Sequence, residues 1–280
     1  MSIDRTGLAE FLRQRREALQ PEDVGLPRGS RRRTGGLRRE EVAAMCHMST
    51  DYVTRLEQRR RPRPSEQMTA SLAQGLHLSL EQRDHLFRLA GHHPPERGEG
   101  ADHIGPGLMR ILDRLEDTPA EIVTELGETL RQTTPGVALT GDLTTLTGPL
   151  RCIGYRWFVD PSTRERYHPD DHEHLSRLWV SGLREVIARR GASSRAAQLA
   201  EQLRPRSEEF AELWDRHEVG MRPREVKRFV HPEVGPLDLR CQTLLDPASG
   251  QSLLVYTADP GSPSRTALEL LGVVGTTVMR

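Results

Sequence analysis

Residues 39–59 read REEVAAMCHMSTDYVTRLEQR, and this stretch decides the fold of the N-terminal part of the chain. Two short segments carry apolar or small side chains at helical spacing on their inward side: Val42, Ala43, Met45, Val53 and Leu56. Between them, the hydroxyl group of Ser49 is placed to cap the second helix. Two short helices joined by a tight turn form a helix-turn-helix, whose second helix typically enters the major groove of DNA.

The outer face of the second helix carries polar side chains near its N-terminus. These are the candidates for contact with DNA: Ser49, Thr50, Asp51, Tyr52, Thr54 and Arg55. Any compact helical domain contains two consecutive amphipathic helices, so the motif alone has a real risk of being a false positive. The charge around the motif supplies an independent argument.

Basic residues surround the motif, although the 280-residue chain has no net charge. Residues 1–97 hold 18 Arg against 13 acidic residues, and residues 28–63 alone hold 11 Arg against 4 acidic residues. Arginine triplets flank the motif on both sides, which makes Arg32, Arg33 and Arg60 candidates for phosphate contact. Such contacts give affinity without base specificity. The alternative for each triplet is a solvated run of charge.

Helical patterns continue on both sides of the motif. A first amphipathic helix is predicted over residues 5–19, and the turn-rich, basic residues 20–37 are predicted to form an exposed loop. Ser65 is placed to cap a fourth helix, and Ser79 with Gln82 forms a capping box for a fifth. The sequence therefore predicts an all-α domain of five short helices.

The composition changes after residue 91, where Pro, Gly and charged residues replace apolar ones. The predicted bounds are 1–91 for the first domain, 92–105 for a linker and 106–275 for a second domain. Within the second domain, two helices are predicted at 170–190 and 195–217. Strands are predicted at 122–123, 129–133, 226–230, 237–245 and 253–257. Helices combined with an antiparallel sheet indicate an α+β domain.

The spacing of the helix-turn-helix resembles that of the phage-repressor-like XRE family over most of residues 5–91. The resemblance implies that Arg39 contacts phosphate and that Glu57 is structural. It also implies that Thr50, Asp51 and Arg55 face base edges, with Tyr52 on the backbone or a base. Two residues depart from the family pattern, because His47 in the turn and Arg59 after the second helix stand where glycine is usual. A positive φ is therefore expected at His47, a conformation that His adopts more readily than most residues.

A second resemblance, over residues 105–272, is to the MmyB-like ligand-binding domain. Five stretches carry it together: IGYRWFVDP at 153–161, LR at 183–184, RSEEFAELW at 206–214, HPEVGPL at 231–237 and LVYTADPGS at 254–262. The resemblance implies a PAS-like α+β fold with an internal apolar pocket for a small lipophilic, fatty-acid-like molecule. The candidate ligand-binding residues are Arg156, Trp157, Phe158, Trp179, Trp214, Phe229 and His231. For the aromatic residues the alternative is ordinary core packing, and for Arg156 it is a surface or salt-bridge role.

Other chemistry is not indicated. Cys46, Cys152 and Cys241 are too far apart in sequence for a zinc spacing or a disulfide framework, and no cofactor is expected. The histidines of residues 168–174 fit a charged helix start better than a metal site. The chain has no Gly-rich phosphate loop and no nucleophile elbow, so we expect no enzymatic activity.

The function predicted from the sequence is that of a ligand-responsive transcriptional repressor that binds a double-stranded DNA operator as a homodimer. The alternative is an antitoxin-like repressor whose C-terminal domain binds a protein partner and no small molecule. The N-terminus lacks the apolar run of a signal peptide, and no stretch approaches about 18 consecutive apolar residues. We therefore expect a cytoplasmic protein without membrane association.

Overall fold

The chain folds into two units, which are described separately. The computed structural model describes residues 2–27, 35–60, 63–95, 102–247 and 249–278. Contacts between residues divide it into Met1–Arg114 and Leu115–Arg280. Among the described residues, no helix is both long enough and apolar enough to cross a membrane.

The N-terminal unit is built from α-helices. They are α1 (Arg5–Ala18), α2 (Arg39–Met45), α3 (Thr50–Glu57), α4 (Glu66–Gly75), α5 (Leu80–Leu89) and α6 (Pro106–Leu112). The predicted caps are confirmed: Ser65 Oγ accepts a hydrogen bond from the Met68 N–H at 3.2 Å. Ser79 and Gln82 form the expected capping box, with bonds of 3.1 and 3.3 Å.

The described parts of the segment 20–37, residues 20–27 and 35–37, are not the exposed loop that the composition predicts, and residues 28–34 of that prediction lie outside the described residues. A 3-10 helix spans Pro21–Val24, and both of its end residues are buried. Leu37 is fully buried, and its carbonyl oxygen accepts a hydrogen bond from Arg16 Nη1 at 2.9 Å. Turn-forming residues dominate the composition of this segment, so the sequence alone does not reveal that Pro21, Val24 and Leu37 are buried.

The end of the predicted linker and the residues after it also pack within the N-terminal unit. The Ile104 N–H donates to Gln74 Oε1 at 2.9 Å, and a ring nitrogen of His103 lies 2.6 Å from the Leu78 carbonyl oxygen. Met109 on α6 is buried. The packing division therefore falls after Arg114, later than the predicted linker. The bounds of 1–91, 92–105 and 106–275 stay predictions of where the two functional domains and their linker begin and end.

One buried ionic cluster joins α1, α2 and α3. The Glu57 side chain is only 3 % exposed, and its Oε1 lies 2.6 Å from Arg16 Nε. Its other oxygen, Oε2, accepts a hydrogen bond from Arg39 Nε at 2.8 Å. A carboxylate this buried is stable as an ion only when it is paired and hydrogen-bonded. The cluster therefore gives Glu57 the structural role that the resemblance implied.

The C-terminal unit contains a five-stranded antiparallel sheet. Its strands are β1 (Ala120–Val123), β2 (Thr129–Gln132), β3 (Val226–His231), β4 (Gly235–Leu245) and β5 (Ser252–Thr257). They are arranged in the order β2-β1-β5-β4-β3, with Glu121 opposite Leu254 and Cys241 opposite Tyr256. This sheet and the helices below confirm the α+β class and the strands predicted from the alternating pattern.

The helices of this unit are more broken than the sequence indicates. They are α7 (Thr134–Thr140), α8 (Ile153–Val159), α9 (Pro161–Glu165), α10 (His172–Arg190), α11 (Arg195–Leu203), α12 (Glu208–Asp215) and α13 (Pro263–Val278). The single helix predicted over 195–217 is wrong. Pro205 cannot donate an N–H, so α11 ends just before it at Leu203, and Ser207 Oγ caps α12 by accepting a hydrogen bond from the Phe210 N–H at 3.2 Å.

We predict that Glu57→Ala lowers the opening free energy of the N-terminal unit by about 3 kcal/mol, because Arg16 keeps a buried charge without its partner. Hydrogen exchange of the α1 and α3 amides in the full-length protein measures this change. Glu10→Ala is the control, because the Glu10–Arg59 pair at 2.9 Å is about half exposed. Its loss is expected to cost at most about 1 kcal/mol. Equal losses for the two variants would contradict the prediction.

Candidate nucleic-acid interface and ligand cavity

Helix α3 presents polar side chains to solvent at its N-terminal end. Thr50 and Asp51 are exposed there, and Arg55 is exposed one turn later. Arg55 Nη2 lies 2.7 Å from Asp51 Oδ2, with the two side chains 54 % and 67 % exposed. An ion pair this exposed contributes little to stability and exchanges easily for other partners. Both groups are therefore accessible to a base edge.

Hydrogen bonds of the helix itself engage the other small polar residues. Ser49 Oγ accepts from the Tyr52 N–H at 3.1 Å, which confirms the predicted cap of α3. The Thr54 hydroxyl group donates to the Thr50 carbonyl oxygen at 2.8 Å, so it is turned toward its own helix. Ser49 is exposed and Thr54 is half-buried.

The turn adopts the backbone conformation that glycine usually supplies. His47 has a φ of 53° and Arg59 has a φ of 62°, both in the left-handed region. Residues other than glycine are strained in this region, although His is among the better tolerated. The family geometry is thus kept at both positions in spite of the substitutions.

Tyr52 lies in a different environment from its neighbours on α3. Its hydroxyl oxygen is buried and has no hydrogen-bond partner among the described residues, and its ring packs against the core of the N-terminal unit. Burial raises the pKa of the phenol above its usual value. The Tyr52 hydroxyl group is thus turned into the protein, and a contact between the half-buried Tyr52 and DNA stays a prediction.

The arginine candidates differ in their surroundings. Arg39 bonds to Glu57 through Nε, yet its side chain remains 43 % exposed. Arg60 is exposed just after α3. Arg32 and Arg33 lie outside the described residues. The structure therefore places Arg39 at the start of α2 and Arg60 after the end of α3, both accessible to a phosphate.

A cavity of about 560 Å³ lies inside the C-terminal unit, lined by one face of the sheet and by α8 and α10. Alternation along β1 directs Glu121 and Val123 toward it, and β5 contributes Leu254 and Tyr256. Much of the remaining lining is apolar and comes from Leu126, Leu175, Leu178, Trp179 and Leu183. A volume in this range and an apolar wall are typical of small-molecule sites.

Charged groups also line the cavity, and one of the buried ones, Asp171, is paired with arginine. The buried Asp171 carboxylate is bound by Arg228, with distances of 2.8 Å from Nε and 2.7 Å from Nη2, and by Arg224. The hydrogen bonds from Arg228 are the main reason that the pKa of Asp171 lies below its usual value. Asp171 is therefore already neutralised within the protein.

Arg156 is a buried cation without an anionic partner. It is 5 % exposed, and its Nη1 donates to the carbonyl oxygens of Leu150 and Arg151. No carboxylate lies within ion-pair distance of its guanidinium group among the described residues. Burial is the largest influence on its pKa and lowers it. An unpaired buried charge is costly, so the site favours an anion from outside the protein.

Two protein-family models match this chain. A helix-turn-helix domain matches residues 8–86, and the MmyB-like transcription regulator ligand binding domain matches residues 104–271, more than half of the chain. The chain belongs to the MmyB-like transcription regulators. Together the two matches make it a DNA-binding transcription regulator with a ligand-binding domain, as the sequence predicted. A comparison with curated proteins finds no match.

In this MmyB-like regulator, three of the seven candidate ligand residues line the cavity: Arg156, Trp179 and Phe229. His231 does not; it lines a separate depression of about 370 Å³, and its Nε2 lies 3.0 Å from the Ala138 carbonyl oxygen. The sequence could not separate these sites, because strand β3 contributes to both.

The other three candidates do not line the cavity: Trp157 and Phe158 are core residues, and the half-buried Trp214 packs against that core. Trp157 is 1 % exposed, and its indole N–H donates to Ser176 Oγ at 2.8 Å. Phe158 and Trp214 both pack on Phe210, with ring centroids 5.2 and 5.4 Å apart. The rings of Phe158 and Trp214 thus pack on a shared neighbour, Phe210, which is the ordinary core packing that the sequence left open as the alternative.

Sequence reasoning missed the polar residues that face the cavity from the sheet. The most informative is Glu121, an acidic residue in the otherwise apolar and fully buried strand AEIV. An unpaired charge in such a strand is a usable signal, because charged residues are almost never fully buried without a partner.

Among the histidines of residues 168–174, His172 contacts the protein backbone: its Nε2 lies 3.0 Å from two backbone carbonyl oxygens.

We predict that a single thiol reacts rapidly with Ellman's reagent at pH 8. Burial raises the pKa of Cys152 to about 11 and that of Cys46 to about 12, so the reactive thiolate is scarce in both. Cys241 is less buried and lines the cavity. Cys241→Ser is expected to remove the fast phase, and unfolding is expected to expose the other two thiols. A fast phase that survives this substitution would contradict the assignment.

Proposed function

We propose that α3 reads the operator in the major groove through Thr50, Asp51 and Arg55. The observation that carries this proposal is the exposure of these three side chains at the N-terminal end of the recognition helix. Arg pairs well with guanine and Asp accepts a hydrogen bond from cytosine, so both can discriminate bases. Ser49 and Thr54 lie beside them and can contribute contacts to the sugar-phosphate backbone of the DNA.

We further propose that arginines supply the sequence-independent part of the affinity. Arg39 and Arg60 are accessible at the ends of the motif, and Arg32 and Arg33 extend the basic run in the sequence. Phosphate contacts of this kind release counterions and make binding fall steeply with salt. Binding as a homodimer to half-sites about 34–36 Å apart, and action as a repressor, are proposed from the likeness of the motif to phage repressors.

For the C-terminal unit, we propose that the cavity binds a small amphipathic effector with an anionic head, such as a fatty acid. The unpaired, buried Arg156 supports the anionic head, and the apolar wall around Trp179 supports a hydrocarbon tail. Such an effector changes DNA binding only if its affinity differs between the free and the DNA-bound protein. By linkage, operator DNA then changes the affinity for the effector by the same factor.

We predict that Arg55→Ala weakens binding to the natural operator by about 1–3 kcal/mol and barely changes nonspecific binding. Fluorescence anisotropy with operator and scrambled duplexes at several salt concentrations measures both. Arg60→Ala is the matched control, since it is expected to weaken all sequences alike and to reduce the salt slope by about one. If Arg55→Ala weakened both duplexes equally, a base-reading role for Arg55 would be refuted.

We predict that the full-length protein binds dodecanoic acid about tenfold more tightly than dodecanol, because charge-assisted hydrogen bonds to Arg156 are the stronger kind. Isothermal titration calorimetry measures both affinities. Arg156→Gln is expected to abolish the preference, whereas Arg177→Gln, whose guanidinium group pairs with Glu218 at 2.8 Å, is expected to keep it. If neither amphiphile binds, the effector proposal fails and a protein partner becomes the leading alternative.

A further inference from the structure

Glu121 occupies an unusual position for an acidic residue. It lies on β1, which pairs with β2 on one side and β5 on the other, and the residue is 8 % exposed. Its side chain lines the cavity together with Val123 of the same strand. A carboxylate at such a place costs free energy unless hydrogen bonds or an opposite charge compensate it.

The partners of Glu121 are neutral hydroxyl groups. The Tyr256 hydroxyl donates to Oε1 at 2.7 Å, and the Thr129 hydroxyl donates to Oε2 at 2.9 Å. No Arg, Lys or His side chain lies within ion-pair distance of it among the described residues. A carboxylate has roughly four acceptor positions, so these two bonds leave capacity on both oxygens.

Other buried acids of the chain are compensated by arginine. Glu128 lies 2.7 Å from Arg195 Nη2, and Asp171 is held by Arg228 at 2.7 Å. Glu57 in the N-terminal unit is likewise paired with arginine. Glu121 thus differs from these three acids in its partners, and it shares the cavity wall with Asp171 alone among them.

Arg156 complements Glu121 across the same cavity. The two side chains interact electrostatically, since the charge of Glu121 opposes the lowering of the Arg156 pKa. They are nevertheless too far apart for an ion pair. The cavity therefore holds one buried cation and one buried anion, each without a charged partner of its own.

We propose that Glu121 accepts a hydrogen bond from a hydroxyl group of the effector, which makes the ligand class a hydroxylated long-chain carboxylic acid. This inference rests on the proposed binding of an anionic amphiphile at Arg156. The carboxylate of the ligand pairs with Arg156, and its hydroxyl group occupies the free acceptor capacity of Glu121. Tyr256 and Thr129 position the Glu121 carboxylate by holding one oxygen each.

The experiment compares dodecanoic acid with its 2-, 3- and 12-hydroxy derivatives on the full-length protein by isothermal titration calorimetry. We expect at least one hydroxy acid to bind about tenfold more tightly than dodecanoic acid, because a hydrogen bond to a buried charge is stronger than one between neutral groups. The position of the hydroxyl group that gives the gain reports the distance between the two charged groups along the ligand.

Two variants assign this gain to Glu121. Glu121→Gln is expected to reduce the preference to about threefold or less while leaving dodecanoic acid binding in place, since the amide is a weaker, uncharged acceptor. Glu125→Gln is the matched control, because Glu125 also lines the cavity but is already paired with Arg189 and Arg190. If Glu121→Gln fails to fold, Glu121→Asp serves instead: it keeps the charge but withdraws the carboxylate by one methylene group, and it is expected to reduce the preference as well.

The outcomes separate this inference from the one on which it rests. If dodecanoic acid binds and no hydroxy derivative binds more tightly, the role of Glu121 is refuted while the proposed effector class stands. Retention of the full preference by Glu121→Gln refutes it as well. If none of the four acids binds, both proposals fail.

Discussion

The carboxylate of Glu57 lies between two guanidinium groups, and the geometry of the DNA-binding helix depends on it. Arg16 reaches it from α1 and Arg39 from α2, so one buried anion fixes three helices relative to each other. Arg16 also binds the Leu37 carbonyl oxygen, which anchors the chain just before the motif. Because a buried charge tolerates little loss of its partners, this cluster holds α3 in one orientation.

The cost of burying a charge is met differently in the C-terminal unit. There the buried charges of Arg156 and Glu121 are hydrogen-bonded to neutral groups only, so the folded protein retains part of their desolvation cost. A ligand that pairs with them recovers this free energy, and binding is thereby made selective for polar groups in a cavity whose wall is mostly apolar. Complete internal pairing would stabilise the fold and remove this selectivity.

The sequence was most informative where a local rule decides the structure. Capping residues such as Ser49 and Ser79 located helix starts, and the glycine-like positions of His47 and Arg59 have the left-handed backbone that the family pattern requires. Strand alternation located the sheet. By contrast, the environment of a side chain depends on residues distant in the chain. Trp157 and Trp179 look alike in sequence, yet one bonds to Ser176 in the core and the other lines the cavity.

The distribution of charge explains how a chain with no net charge can still favour DNA. At physiological ionic strength the screening length is about 8 Å, so a phosphate responds to nearby charges and not to the total. The arginine excess of residues 28–63 therefore acts locally, whatever acidic residues follow later in the chain. Within that excess, Arg55 is held by Asp51 in the free protein. In the proposed mode of binding, contacts with phosphates hold the motif on DNA. Discrimination then falls to a base pair that hydrogen-bonds to Arg55 and Asp51 better than these two side chains bond to each other.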